Sequence, residues 1–237
     1  MQQSLLAGVQ QFDLTLTQAQ LAAFEQYSRE LIAWNEKINL TRIVAPAEIV
    51  VKHFLDSLSV YQALADLPAG FSLIDVGSGA GFPGLPLKIV RPDLQLTLLE
   101  STGKKTAFLQ HIVDLLNLTN VTVLTARAEE AGRRPEHREH YDVAVARAVS
   151  ALPVLAEYTL PLVKVGGRVI AQKGQDPAAE IKEAANALGI LGGKLSRIWP
   201  VMVPGLEAER HLVIIHKVKP TPRQYPRRPG LPAKKPI

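Results

Sequence analysis

Phe71-Ser72-Leu73-Ile74-Asp75-Val76-Gly77-Ser78-Gly79-Ala80-Gly81-Phe82-Pro83-Gly84 begins as an apolar run, passes through an acid and opens into a glycine turn. Glycines at a strand end permit positive φ and let backbone N–H groups approach a ligand with no Cβ in the way. A ligand at this turn is the first expectation. Gly79, Gly81 and Gly84 spell G-x-G-x-x-G, the fingerprint of a dinucleotide diphosphate. The strand exits at Gly77, however, and a count from Gly77 puts Phe82 where the third glycine should stand. Pro83 and Pro86 are also expected to delay the helix whose N-terminus would hold the diphosphate. The nicotinamide or flavin reading is therefore the weaker one.

A sulfonium nucleoside, S-adenosylmethionine, has no phosphate and suits the same turn. Bare backbone at Gly77 and Gly79 accommodates it, and Asp75, two residues ahead of the turn, can face its amino-acid end. Glu100, twenty-three residues beyond Gly77, ends the second apolar run, where a carboxylate can accept both ribose hydroxyls. Ala128-Glu129 follow the third run and are placed to bracket the adenine. Arg147 follows the fourth, near where the methyl group would point.

Outward from Gly70, short β-branched runs alternate with helical patterns. Strands are expected at 73–76, 95–100, 121–125, 142–146 and 168–172, and helices at roughly 84–90, 104–117, 151–163 and 177–188. That spacing means βαβ units with right-handed crossovers and a parallel sheet covered on both faces. Runs near 195–203 and 210–218 have no helix between them, so an antiparallel hairpin should close one sheet edge. The expected fold is α/β: a Rossmann-like class I methyltransferase with a seven-stranded, mostly parallel sheet ending in that hairpin. Residues 1–68 read as an N-terminal helical extension, 69–218 as the methyltransferase domain and 219–237 as a basic, Pro-rich tail. Within the extension, Thr17 and Gln20 form a capping box and Pro46 opens a second helix. Asn35 and Asn39 share a helix face and are expected to pack the extension onto the glycine loop.

The 237 residues are 47% apolar and 21% charged with no cysteine, which excludes disorder, a disulfide framework and thiolate chemistry. No 18-residue stretch lacks Asp, Glu, Lys and Arg, and the N-terminus has no leader pattern. A cytoplasmic protein is expected. The net charge of +5 is concentrated: Lys217–Ile237 holds seven bases and no acid, leaving the rest slightly acidic. Six prolines interrupt this segment, so it is expected to be extended or disordered, serving either as an electrostatic arm for a polyanion or as a solubilising terminus. The cluster Arg133-Arg134-Pro135-Glu136-His137-Arg138 reads as a solvated loop, His53 as an ordinary core or surface histidine, and no metal site is expected.

Missing residues narrow the chemistry. Pyrimidine-carbon methylation uses a cysteine nucleophile, and exocyclic-amine methylation commonly uses an Asp/Asn-Pro-Pro-aromatic motif where this chain has Ala146-Arg147-Ala148. A ring nitrogen such as guanine N7 needs only positioning. A 2′-hydroxyl would need a base, for which Lys173 is available. A small-molecule acceptor, or a non-catalytic RNA-binding role in which the tail supplies affinity, also remains open.

Trp34-Asn35-Glu36-Lys37-Ile38-Asn39-Leu40-Thr41, His53-Phe54-Leu55-Asp56-Ser57, the Gly77–Gly84 loop with Pro83 and Pro86, Glu100-Ser101-Thr102-Gly103-Lys104-Lys105, Ala146-Arg147-Ala148, Gln172-Lys173-Gly174 and Arg210-His211-Leu212-Val213 stand in this order. Together they resemble the glucose-inhibited division protein B family over about residues 12–218, with the tail outside the resemblance. The resemblance implies a monomeric guanine-N7 methyltransferase of 16S ribosomal RNA, acting on the small ribosomal subunit. It implies S-adenosylmethionine contacts at Gly77, Phe82, Glu100, Ser101, Thr102, Ala128, Glu129 and Arg147. With that acceptor, Arg147 is expected to line the transfer pocket and Lys173 to contact substrate or phosphate.

Overall fold

In the computed structural model, which describes residues 1–174 and 176–237, seven strands form one sheet in the order β3-β2-β1-β4-β5-β7-β6. They are β1 (Ser72–Val76), β2 (Gln95–Glu100), β3 (Val121–Thr125), β4 (Tyr141–Arg147), β5 (Val163–Lys173), β6 (Gly193–Val201) and β7 (Arg210–Lys217). Strands β1 to β5 pair in parallel, and β7 pairs antiparallel with both β5 and β6. The expected doubly wound sheet and terminal hairpin are present. Connections run outward in both directions from between β1 and β4, which creates the crevice where open α/β sheets take ligands.

The helices are α1 (Gln2–Val9), α2 (Gln18–Asn35), α3 (Pro46–Ile49), α4 (Asp56–Leu58), α5 (Gly84–Val90), α6 (Gly103–Leu115), α7 (Ala128–Ala131), α8 (Leu152–Thr159), α9 (Ala178–Leu191) and α10 (Leu231–Lys234). None of them is long and apolar enough to cross a membrane, among the described residues. Pro83 caps α5, which starts at Gly84, so the prolines do not delay that helix. Pro86 sits in the first turn, where its missing N–H costs nothing.

Alternate residues of β7 show why the chain needs cover on both faces: Leu212 and Ile214 enter one core, and Val213 and Ile215 the other. The first core lies under the N-terminal helices, where Phe24, Tyr27 and Phe54 meet Phe82 and Phe108. The second lies under α8 and α9. The capping box of Thr17 and Gln20 forms as expected, and the Gln20 amide also donates to the Ile89 carbonyl, 2.9 Å away. The Asn35 carbonyl oxygen accepts from Leu40 N and Thr41 N, closing the chain after α2.

Contrary to expectation, the tail is neither extended nor disordered. The Lys217 side chain is buried, and its ammonium donates to the Leu160 and Leu191 carbonyls and to Thr221 Oγ1. Arg138 donates to the Thr221 and Tyr225 carbonyls and Arg133 to that of Pro226, so the cluster expected to be a solvated loop instead binds the tail. Backbone groups that six prolines cannot pair locally are paired by side chains from elsewhere in the fold.

Candidate functional site

The turn after β1 is built by glycine. Gly77 N and Ser78 N both donate to the Leu99 carbonyl, at 2.8 and 3.1 Å, with Gly77 at φ +73°. A Cβ on Gly77 would lie 2.8 Å from Val149 Cγ2, so only glycine fits. Gly81 (φ +96°) lets the backbone pass beneath the Tyr27 hydroxyl, which donates to the Ala80 carbonyl. Burial holds the Tyr27 phenol well above its ordinary pKa, so it stays a donor.

Asp75 is fully buried and lines neither of the two cavities described below. Its Oδ2 accepts from Gly84 N at 2.8 Å, while Oδ1 has no partner. Burial pushes its pKa up to about 7 against the lowering effect of the Gly84 N–H. Asp75 thus shapes the turn from behind and does not itself face the crevice. Glu100 grips the loop from the side: Oε2 accepts from Gly79 N at 3.1 Å and Oε1 from Thr102 N at 2.8 Å.

A cavity of about 130 Å³ opens beside this loop. Gly77, Glu100, Ser101, Ala128 and Glu129 line it, with Val76, Leu99, Ala126, Val149 and Tyr158 as apolar walls. Its apolar faces suit a purine and its carboxylates a vicinal diol or an amino group, so the residues present fit the nucleoside part of S-adenosylmethionine.

A second cavity, of about 390 Å³, lies across the segment 147–149. Arg147 and Ala148 line this one, and Val149 lines the first. Arg147 Nη1 donates to the Lys52 carbonyl at 3.1 Å and to Asp56 Oδ2 at 2.8 Å, and its guanidinium stands over the Phe82 ring, 5.0 Å from the centroid. Asp56 Oδ1 accepts from Arg210 Nε at 2.8 Å, so one buried carboxylate holds two arginines.

Local backbone makes this contact possible. Val50–Leu55 is a π-helical turn between α3 and α4, and the Asp56 N–H reaches the Val51 carbonyl instead of that of Lys52. The wider turn brings the Lys52 carbonyl, His53 and Asp56 to the same guanidinium. Such turns often mark functional sites.

His53 Nδ1 lies 3.2 Å from Arg147 Nη2, which can only donate, so Nδ1 accepts. Its Nε2–H then donates to Thr41 Oγ1 at 2.8 Å, which defines a neutral ring. Burial and then Arg147 lower its pKa to about 3. Gln172 donates to the Asp56 carbonyl from below, at 2.8 Å. Lys173 Nζ is 2.7 Å from Glu180 Oε2 and donates to the Ser150 carbonyl at 2.9 Å.

The sequence-derived candidates therefore separate into three groups. Gly77, Glu100, Ser101, Ala128 and Glu129 meet at one cavity, and Arg147 and Lys173 at the other. Asp75, Gly79, Phe82 and Thr102 line neither cavity: Gly79 N and Thr102 N donate to Glu100, Asp75 accepts from Gly84 N, and Phe82 lies beneath Arg147. His53, read as an ordinary histidine, and Asp56, Gln172 and Arg210, given no role, prove to belong to the second cavity. Their signal was the motifs His53–Ser57, Gln172–Gly174 and Arg210–Val213, whose acids, amides and bases face one another only in the fold.

Comparisons with known proteins agree with this geometry. The chain is similar in fold to a SAM dependent methyltransferase from Aquifex aeolicus, with a TM-score of 0.54 at 18% identity over 79% of this chain and 98% of that one. It is also similar to M. jannaschii TYW2 in complex with AdoMet, with a TM-score of 0.51 at 15% identity over 69% and 77% of the two chains. Among curated proteins, "Ribosomal RNA small subunit methyltransferase G" of Roseiflexus sp. (strain RS-1) is 54% identical over 233 residues, 98% of both chains. The protein of that name from Desulforamulus reducens is 46% identical over 99% of this chain and 97% of its own. These alignments reach into the tail, which was expected to lie outside the resemblance. The family described as GidB, rRNA small subunit methyltransferase G, matches residues 20–213, and the chain belongs to that family.

Proposed function

We propose that the protein transfers a methyl group from S-adenosylmethionine to N7 of one guanine in 16S ribosomal RNA of the small subunit, acting as a single chain in the cytoplasm. The observation that carries this reading is the pair of cavities on the carboxyl rim of the sheet, with the segment 147–149 lining both. Residues 69–218 would carry the transfer, and residues 1–68 would close the acceptor side.

The donor supplies an electrophilic methyl group on sulfonium sulfur. Toward it, Glu100 would accept the ribose hydroxyls, Ala128 and Glu129 would bracket the adenine, and the loop from Gly77 to Phe82, shaped by Asp75, would approach with backbone alone. Ser101 and Thr102 would close the ribose side. On the other side, Lys52, Arg147, Lys173 and Arg210 line the cavity, Arg147 and Arg210 sharing Asp56 while Lys52 and Lys173 pair with Glu48 and Glu180 outside it, a set of bases that suits the phosphates flanking a nucleotide. His53 would stay neutral beside Arg147 and add no competing charge.

Guanine N7 attacks with its own lone pair, so no base is required. Catalysis then consists of alignment and exclusion of water, which can lower a barrier by roughly 7–11 kcal/mol. The Lys173 ammonium, held by Glu180 and the Ser150 carbonyl, suits anchoring of the segment after β4 better than proton abstraction from a 2′-hydroxyl. The test is incubation with labelled donor and small subunits from cells that lack this gene, followed by nucleoside mapping. Label in 7-methylguanosine is expected, and label elsewhere or nowhere refutes the assignment.

A further inference from the structure

Two of the buried carboxylates beside the smaller cavity have their partners in the tail. Glu157, on α8 next to the cavity residue Tyr158, is 1% exposed and takes a forked ion pair from Arg227: Nη2 to Oε2 at 2.6 Å and Nε to Oε1 at 2.9 Å. The Arg227 N–H adds a third bond to Oε1, at 2.7 Å. Glu129, on α7 and 3% exposed, lines the cavity, and its Oε1 accepts from Gly230 N at 2.8 Å. Gly230 sits at φ +79°, the conformation that aims its N–H at that carboxylate. The tail is fastened upstream as well, where Glu139 Oε1 accepts from Thr221 N at 2.7 Å.

We propose that the C-terminal tail braces the methyl-donor pocket from behind its lining, and that Arg227 and Gly230 are positioning residues which set donor affinity by holding α8 and Glu129 in place. The proposal rests on the reading of the smaller cavity as the donor site. Without the tail, both carboxylates would lose these partners and α7 and α8 would lose the contacts that fix Glu129 and Tyr158 at the cavity. Of the seven bases in Lys217–Ile237, Lys217 at the end of β7 and Arg227 in the tail are spent inside the protein, which is not how a free electrostatic arm is built.

The experiment uses full-length variants and calorimetry with S-adenosylmethionine alone. Gly230→Val opposes the positive φ at this position, and the Cβ it adds meets nothing within 4 Å. Arg227→Ala removes the fork, and Arg227→Lys keeps the charge. Donor Kd is expected to rise about tenfold or more for Gly230→Val and Arg227→Ala, and by less for Arg227→Lys, while the KM for RNA and its salt dependence stay at wild-type values. If Arg227→Ala does not fold, Gly230→Val decides. Unchanged donor Kd across the folded variants overturns the proposal, as does a rise in RNA KM with a shallower salt slope at constant donor Kd, the pattern of an RNA-binding arm. Glu100→Ala is the control for the site itself: wild-type donor binding there would remove the cavity assignment, and the tail proposal with it.

Discussion

His53 and Phe82 lie face to face, with ring centroids 4.4 Å apart and planes 11° from parallel. One belongs to the N-terminal helical segment and the other to the glycine loop, so the stack joins the two parts of the chain at the point where Arg147 crosses them. With its Nδ1 lone pair given to Arg147, the ring is held neutral.

The neutral ring has a pH consequence. The folded value of about 3 lies below the ordinary 6.5. Between those values the unfolded chain binds a proton that the folded chain does not, so stability falls as pH falls through this window and is indifferent to this group above it. At pH 5 the loss is about 2 kcal/mol. His53→Phe keeps a ring on Phe82 without the titration. The wild-type advantage in Tm over this variant should shrink by several degrees between pH 7.5 and pH 5, and a constant difference would exclude a buried neutral His53.

Asp56→Asn removes the charge that holds both Arg147 and Arg210. Leaving two guanidinium groups facing a neutral amide should cost about 3 kcal/mol of stability. Methyl transfer under single-turnover conditions should fall about 100-fold through misplacement of Arg147, with donor Kd nearly unchanged. A variant with wild-type transfer rate would show that the bridge is dispensable.

Gly77→Ala combines a left-handed backbone with a clash on Val149. The backbone strain alone should cost about 1–2 kcal/mol. Donor binding by calorimetry should weaken strongly, and adding Val149→Ala should recover the part due to overlap but not the part due to φ. Full recovery, or no loss in the single variant, would contradict this account.

Lys217→Met tests the anchor of the tail. The ammonium has two carbonyls, the Thr221 hydroxyl and Glu139 as partners, the last at 3.2 Å, and all would be left wanting. Thermal melts should show a loss of about 3 kcal/mol. Limited proteolysis should begin cutting after residue 217, and an intact tail in the variant would place the anchorage elsewhere.

The parts that sequence made legible are those whose cause is local. The runs at 72–76, 95–100 and 121–125 are strands because leucine and β-branched side chains dominate them, with Asp75 the one charge inside a run, and each ends at the acid, glycine or turn that stops it. The Thr17 cap and the glycine turn were readable for the same reason. The π-helical turn at Val50–Leu55 was not, since it exists to serve a guanidinium from β4, far away in the chain. The tail was misread because proline content signals disorder only when nothing else supplies hydrogen bonds. Arg138, Glu139 and Glu157 supply them here, and no periodicity in the tail announces partners on other elements. The helix Gln2–Val9 carries no acid in its first turn to mark its start.

One short stretch, Arg147 to Val149, with Ala148 at φ +55°, is the party wall of two adjoining chambers. Anything that leans on this wall from one chamber is felt in the other, and thermodynamic reciprocity requires the influence to be equal in both directions. A guest that displaces this wall in one room therefore reshapes the other.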